Sequence, residues 1–224
     1  MGGTRLELHP GGHVLCPHPD TPARAVPRVT CSFVWKSAGE WAFDFAVPVP
    51  PAALRLPEPA VPERTDGLWR HTCFEIFLMD PANGSYLEFN LSPSGRWAAY
   101  RFDGYRSGMR ALGVTGPRII TSNGEQFRLA MGAHLRALGL DEESIRLLEE
   151  ASPPLAESRQ FALSAALDDS SLHDERQWLA SVAAVIEEKD RTKSYWALAH
   201  PSEGPPDFHH PDCFVLELPP PAGR

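Results

Sequence analysis

The sequence predicts an all-β protein: a single antiparallel β-sandwich with one short helix, spanning 1–224 as one domain. Three observations carry this expectation. Short segments alternate in polarity residue by residue, which is the period of a half-buried strand. Pro and Gly punctuate the chain, 23 and 17 times, and leave little room for long helices. Strands do not alternate with helical patterns, which argues against parallel nucleotide-binding sheets. A chain of 224 residues is long enough to bury one sizeable core.

The elements follow in order. Leu6–His9 reads as a short strand, and Gly11–Arg28, rich in Pro, Gly and His, as loop. Val29–Trp35 and Trp41–Val47 form a strand pair across the turn Lys36–Glu40. Pro48–Thr65 reads as a long extended connection. Cys73–Leu78, Tyr86–Leu91 and Trp97–Phe102 are three successive strands. Asn83-Gly84 and Ser92-Pro-Ser-Gly95 supply the turn chemistry between them. Ile119–Thr121 and Phe127–Ala133 make a further pair, and Ser144–Glu150, capped by Asp141, is the short helix. Gln160–Leu167, Trp178–Ile186, Tyr195–Ala199 and Cys213–Leu218 complete the strands. Trp178–Ile186 is apolar on both alternating faces and predicts a strand buried on both sides.

Composition narrows the function classes. A net charge of −8 argues against a broad basic surface for nucleic acid. No segment approaches the roughly 20 apolar residues of a membrane helix. Met1 to Val29 holds no apolar run of signal-peptide length, so a cytoplasmic location is expected. Cys16, Cys31, Cys73 and Cys213 lie far apart without a CxxC, which fits reduced thiols. No P-loop, GxGxxG or GxSxG occurs, and no cofactor is expected.

The three central strands carry the functional signal. Phe74, Ile76 and Leu78 share one face, as do Leu87, Phe89 and Leu91. The opposing faces hold Cys73, Glu75 and Phe77, then Tyr86, Glu88 and Asn90; in the third strand Trp97, Ala99 and Arg101, opposite Ala98, Tyr100 and Phe102, add a guanidinium to this mixed face. A solvent face has no need of Phe77, Tyr86 or Trp97, whereas a face that holds a polar ligand against aromatic rings does. Flat rings cover the CH faces of a sugar, and Glu, Asn and Arg side chains match its hydroxyl pairs. Each aromatic also has a plain reading as sandwich core, Trp97 above all, and Glu88 paired with Arg101 is an alternative to ligand contact. Paired Glu75 and Glu88 are compatible with glycoside hydrolysis, but no catalytic residue is assigned. His200, His209 and His210, near Asp207 and Asp212, match no zinc-ligand spacing and read as a polar loop. No metal site is assigned.

Three runs carry a family resemblance: Leu68-Trp69-Arg70-His71-Thr72-Cys73-Phe74-Glu75, Glu88 through Tyr100, and Trp196-Ala-Leu-Ala-His200-Pro201. In these the chain resembles a bacterial DOMON-like family, related to the β-sandwiches of carbohydrate-binding module family 9. The resemblance implies a sandwich that binds sugar or haem. It places Trp69, Glu75 and Trp196 where sugar-binding relatives clamp a ring between two indoles beside a strand-borne carboxylate. Asn90 and Arg101 are the expected polar partners. The expected function is therefore non-catalytic binding of a small polar ligand, a saccharide or sugar-like compound. Two alternatives stand beside it: a haem or metal redox module, with Met109 and His200 as nominal axial ligands, and a protein-interaction sandwich using the Pro48–Pro62 loop.

Overall fold

The structure is a computed structural model that describes residues 5–6, 12–35, 40–114, 116–123, 161–168 and 177–218. It is an antiparallel β-sandwich, and its described helical turns are single 3-10 turns such as Pro51–Ala53 and Leu68–Arg70. The strands are β1 (His13–Pro17), β2 (Val29–Trp35), β3 (Glu40–Val47), β4 (Cys73–Met79), β5 (Tyr86–Leu91), β6 (Trp97–Phe102), β7 (Arg110–Ala111), β8 (Arg118–Asn123), β9 (Phe161–Asp168), β10 (Trp178–Glu187), β11 (Lys193–Ala197) and β12 (Leu216–Leu218).

Two sheets share β1. Sheet A runs β7-β6-β5-β4-β10-β11-β1, and sheet B runs β1-β2-β3-β9-β8. Residues His13 to Leu15 pair with β2, whereas Cys16 and Pro17 pair with β11, so one strand passes from one layer to the other. β10 is the centre of sheet A. β4 runs along one edge of it, and β11 and β12 divide the other. All ten residues of β10 are buried, as its unbroken apolar run predicts.

Register decides which residues meet. Ile76 lies opposite Phe89 and Val182, and Phe74 opposite Leu91 and Ala184. These side chains face sheet B and interdigitate with Val29, Phe43, Phe45 and Val47. The rings of Phe45 and Phe74 stand 4.7 Å apart across the two layers. A second apolar cluster occupies the other side of sheet A. There Phe77, Tyr86, Tyr100 and Phe102 pack under Phe208 and Phe214 from the segment between β11 and β12. Tyr86 and Phe102, opposite each other in register, stack with centroids 4.5 Å apart and planes 8° from parallel. Sheet A is thus covered on both faces.

The structure differs from the sequence expectation in places that share a cause. β1 falls inside the segment expected to be loop. Only Leu15 of its five residues is buried, and Val14 is exposed, so it shows no sustained alternation. Its strand character comes from partners on both edges, contributed by distant β2 and β11. β7 is two exposed residues held by β6 and equally silent in sequence. Leu6 makes an isolated parallel bridge to Leu216. The expected helix at Ser144–Glu150 and strand at Phe127–Ala133 lie outside the described residues.

Trp196 belongs to the inner core. It lies opposite Ala184, is 2% exposed, and donates its indole N–H to Ser194 Oγ at 2.8 Å. Trp196→Ala is therefore expected to lower unfolding free energy by about 3–5 kcal/mol through loss of core volume. Urea denaturation measures this, and an unchanged midpoint at unchanged slope would show that the indole does not fill the core.

Candidate functional site

Over the outer face of sheet A lies a cavity of about 860 Å³. Its floor is strand-borne: Glu75 from β4, Glu88 from β5, Tyr100 and Phe102 from β6, with Val185 and Tyr195 from β10 and β11. Glu75 and Glu88 stand on the mixed face that the alternation assigned, but on β6 the expectation is reversed: Tyr100 stands opposite Glu88, so Tyr100 and Phe102 share the floor face, and Trp97 and Arg101 lie on the other. Four loops contribute to the rim, one of them through Thr21 after β1. Trp69 and Arg70 come from the turn before β4, Arg106 and Met109 from the hairpin after β6, and Phe208 and His209 from the segment after β11.

Local chemistry fixes each loop. Gly67, at φ 75°, begins the 3-10 turn Leu68–Arg70, a left-handed position that glycine adopts without steric cost. The turn is tied down by Lys193 Nζ, which donates to the Arg70 carbonyl at 2.5 Å, and by His71 Nδ1 against Glu187 Oε2 at 2.9 Å. Trp69 consequently stands half exposed at the mouth, with the Arg70 guanidinium 5.3 Å from its ring centroid. Asp66 accepts from the Tyr100 hydroxyl at 2.6 Å. On the opposite rim the Arg106 guanidinium donates to Asp207 Oδ1 at 2.7 Å, and Tyr105 donates to Asp207 Oδ2 at 2.5 Å.

Beneath the rim is a buried polar network. The Tyr86 hydroxyl accepts the Arg106 backbone N–H at 3.2 Å and lies 2.8 Å from His209 Nδ1. Having accepted from Arg106, it has its own proton to give to Nδ1. With Nδ1 accepting that proton, the ring N–H falls on Nε2, and Nε2 sits 3.9 Å from Glu88 Oε2. Burial, with the Arg106 charge second, lowers the His209 pKa to about 4, so this contact joins a neutral ring to a carboxyl group. Asn90 donates to Glu88 Oε1 at 2.5 Å and accepts from Cys73 Sγ at 3.8 Å.

The two carboxyl groups are the most perturbed part of the cavity. Glu75 is 3% exposed, and its Oε1 has no hydrogen-bond partner among the described residues. Burial, followed by the nearby Glu88 charge, pushes its pKa well above the usual carboxyl range. Burial raises Glu88 to about 7, with the Asn90 hydrogen bond and the Arg106 charge pulling the other way. Both shifts oppose ionisation, and neither group has a cation bound directly to it among the described residues.

The sequence-predicted site residues separate on this frame. Trp69 and Glu75 line the cavity together. Asn90, 1% exposed, lies behind the floor and holds Glu88. Arg101 and Trp196 are elsewhere. Arg101 lies opposite Leu87, so it belongs to the other face of the sheet, and it is exposed at the end of β6. Trp196 is also on the inner face, so Trp69 and Trp196 do not stand together at this cavity. Trp97 is core as well, with Arg64 5.5 Å from its ring centroid. The guanidinium at the site is that of Arg106, which sequence reasoning missed. Its signal was the Asp103-Gly-Tyr-Arg-Ser-Gly108 turn, where Arg106 takes φ 51° and Gly108 φ 64°. His209 and Phe208 were equally hidden in a segment read as polar loop.

His200 contacts the Cys16 carbonyl through Nε2 at 2.9 Å and packs edge-on against His18, with ring centroids 4.9 Å apart. Among the described residues no group of three or more His, Cys, Asp or Glu side chains is arranged to hold a metal ion, and no helix is long and apolar enough to cross a membrane.

No family model matches the chain, and no curated protein matches it. Its fold is similar to the crystal structure of a protein of Bacteroides uniformis, provisionally assigned as carbohydrate-binding. That likeness has a TM-score of 0.55 and 13% identity, over 92% of this chain and 86% of that one. A weaker likeness, with a TM-score of 0.38 and 9% identity over 78% of this chain and 68% of the other, is to a carbohydrate-binding module family 9 domain of Caldicellulosiruptor kristjanssonii in complex with glucose. The first of these shows a shared fold.

Glu88 gives the site a testable titration. The folded carboxyl keeps its proton to about pH 7, whereas an unperturbed one releases it near 4.5. The folded state therefore holds more protons across that interval, and this group makes stability fall as pH rises through it. His209 acts in the opposite sense between about 4 and 6.5, where the folded ring is neutral and the unfolded ring charged. Comparing Glu88→Gln with wild type isolates the carboxyl. The variant's stability advantage is expected to grow with pH from about 4.5 and level off above about 7, reaching at most about 3 kcal/mol. Urea titrations at stepped pH measure it; a difference that stays flat across the interval would mean that Glu88 titrates normally.

Proposed function

We propose that this chain is a non-catalytic binding domain for a small saccharide or sugar-like ligand, held in the cavity over the outer face of sheet A. The observation that carries this reading is the pairing of ring faces with buried directional polar groups inside one concave site. Trp69, half exposed at the mouth, offers a flat face for the CH side of a sugar ring. Glu75 and Glu88 on the floor, and Arg106 on the rim, offer acceptors and donors for hydroxyl groups. The sandwich shared with a protein provisionally assigned as carbohydrate-binding is consistent with this use of the fold. The expected two-indole clamp is replaced by one indole and a strand-borne floor.

Two strand-borne Glu residues in a cavity also satisfy part of the requirement for glycoside hydrolysis. Burial shifts both carboxyl groups toward the protonated form, Glu88 to about 7, instead of holding one firmly ionised beside a protonated partner. Binding without turnover is the reading this electrostatic state supports.

Ligand binding to the native state raises the melting temperature by mass action, and a hundredfold excess over Kd stabilises by about 2.7 kcal/mol. A thermal-shift screen with neutral and charged monosaccharides is expected to identify at least one stabilising sugar. Trp69→Ala should weaken that sugar about threefold to tenfold by calorimetry while leaving the fold intact. Absence of a shift with every sugar, or equal affinity in the variant, would remove the reading.

A further inference from the structure

We infer that the cavity's preferred ligand is an amino sugar, whose ammonium group docks on Glu75 and Glu88 at the floor. This rests on the saccharide reading and names its chemical class. The starting point is an imbalance. Two carboxyl groups, 3% and 5% exposed, share one cavity floor, and neither is ion-paired to a Lys or Arg among the described residues. Their hydrogen bonding is thin as well. Glu88 Oε1 receives the Asn90 amide, while Glu75 Oε1 receives nothing. A buried polar atom left without a partner costs free energy that a complementary ligand recovers.

The charged groups around the floor do not correct the imbalance. Arg106 is committed to Asp207 at 2.7 Å and to a backbone scaffold held by Tyr86. Arg70 stands at the mouth beside the Trp69 ring. His209 presents a neutral ring. Asp66, the third acid lining the cavity, adds further negative character and is engaged by the Tyr100 hydroxyl. In the unliganded state the carboxyl groups meet the cost of burial by retaining protons, as the raised pKa values of both show. Those protons are exchangeable. A ligand ammonium brings three N–H donors and a formal charge to the two carboxyl groups that line the floor, whereas a hydroxyl brings one donor and no charge. Tyr100, Phe102, Tyr195 and Phe208 line the same space, and aromatic faces attract a cation.

The test is calorimetry on the full chain at about pH 6.5, with glucosamine, galactosamine and mannosamine each compared with its neutral parent and its N-acetyl derivative. At least one amino sugar is expected to bind about tenfold or more tightly than its parent, and its N-acetyl form no better than the parent. Repeating the titration in buffers of different ionisation enthalpy should report net proton release on binding. Glu75→Gln should bring the ratio of amino-sugar to parent affinity close to one, a readout that does not depend on the absolute affinity of the variant. A parent sugar binding as tightly as its amino form would overturn this inference and leave the saccharide reading standing. Failure of every sugar, charged or neutral, would overturn both. Cyclohexylamine matching the amino sugars while neutral sugars fail would overturn both, since the ammonium would then dock without any contribution from the sugar.

Discussion

Coverage of sheet A on both faces is the constraint on which the rest of the molecule depends. An antiparallel sheet ordinarily turns one face to water, and its polar residues there need no partners. Here the inner face packs against sheet B through Phe74, Ile76 and Phe89, and the outer face is roofed by the segments carrying Trp69, Arg106 and Phe208. Residues with outward parity are therefore buried whatever their polarity. Apolar ones join the second cluster around Phe77 and Phe214. Polar ones must find partners inside, and Tyr86, His209, Glu88, Asn90 and Cys73 do so in a connected chain of contacts. Glu75 sits one strand away and does not. Among the described residues its Oε1 has no partner, a consequence of roofing a sheet face that carries acids.

Parity made the cavity floor legible from sequence. Because side chains alternate strictly, the segments Cys73–Leu78 and Tyr86–Leu91 assign Glu75 and Glu88 to one face without any knowledge of pairing. Observed strand limits at Tyr86–Leu91 and Trp97–Phe102 coincide with those expected, since the turns at Gly84 and Gly95 adopt the positive φ that their sequence required. Parity also explains what went astray. Local pattern leaves the face of an isolated short strand undetermined, and Trp196 was judged by its neighbours in sequence instead of by pairing with Ala184. Arg101 was treated as a partner of Glu88, yet it alternates away from Tyr100, which stands opposite Glu88. β1 was invisible because its stability is tertiary: both its edges are paired with strands distant in sequence.

The rim was harder to read for a related reason. Trp69 was within reach because its own motif precedes β4. Arg106 and His209 lie in loops whose conformation is set by contacts with each other's neighbours: the Arg106 backbone meets the Tyr86 hydroxyl, the same hydroxyl meets His209, and the Arg106 guanidinium meets Asp207. Each contact crosses from one part of the chain to another, so no window of sequence contains the arrangement. Composition records the residues and topology supplies their meeting.

This division between strand and loop separates two demands that a binding site makes. Floor groups on adjacent strands are held by the ladder, with Glu75 fixed by its pairing to Asn90 and Ala183, and Glu88 by Phe77 and Tyr100. Their spacing does not adjust to a ligand, which favours discrimination by charge and hydrogen-bond geometry at the deep end. Rim groups stand on turns anchored by a few side-chain contacts, such as the Lys193 hydrogen bond to the Arg70 carbonyl and the His71 contact with Glu187, and present exposed side chains including Trp69 and Met109. Such positions tolerate variation in what projects from the mouth. The buried carboxyl pair thus stands where the backbone is most firmly paired, and in the proposed binding mode it would meet the group that enters first, with the indole above it left for what remains outside.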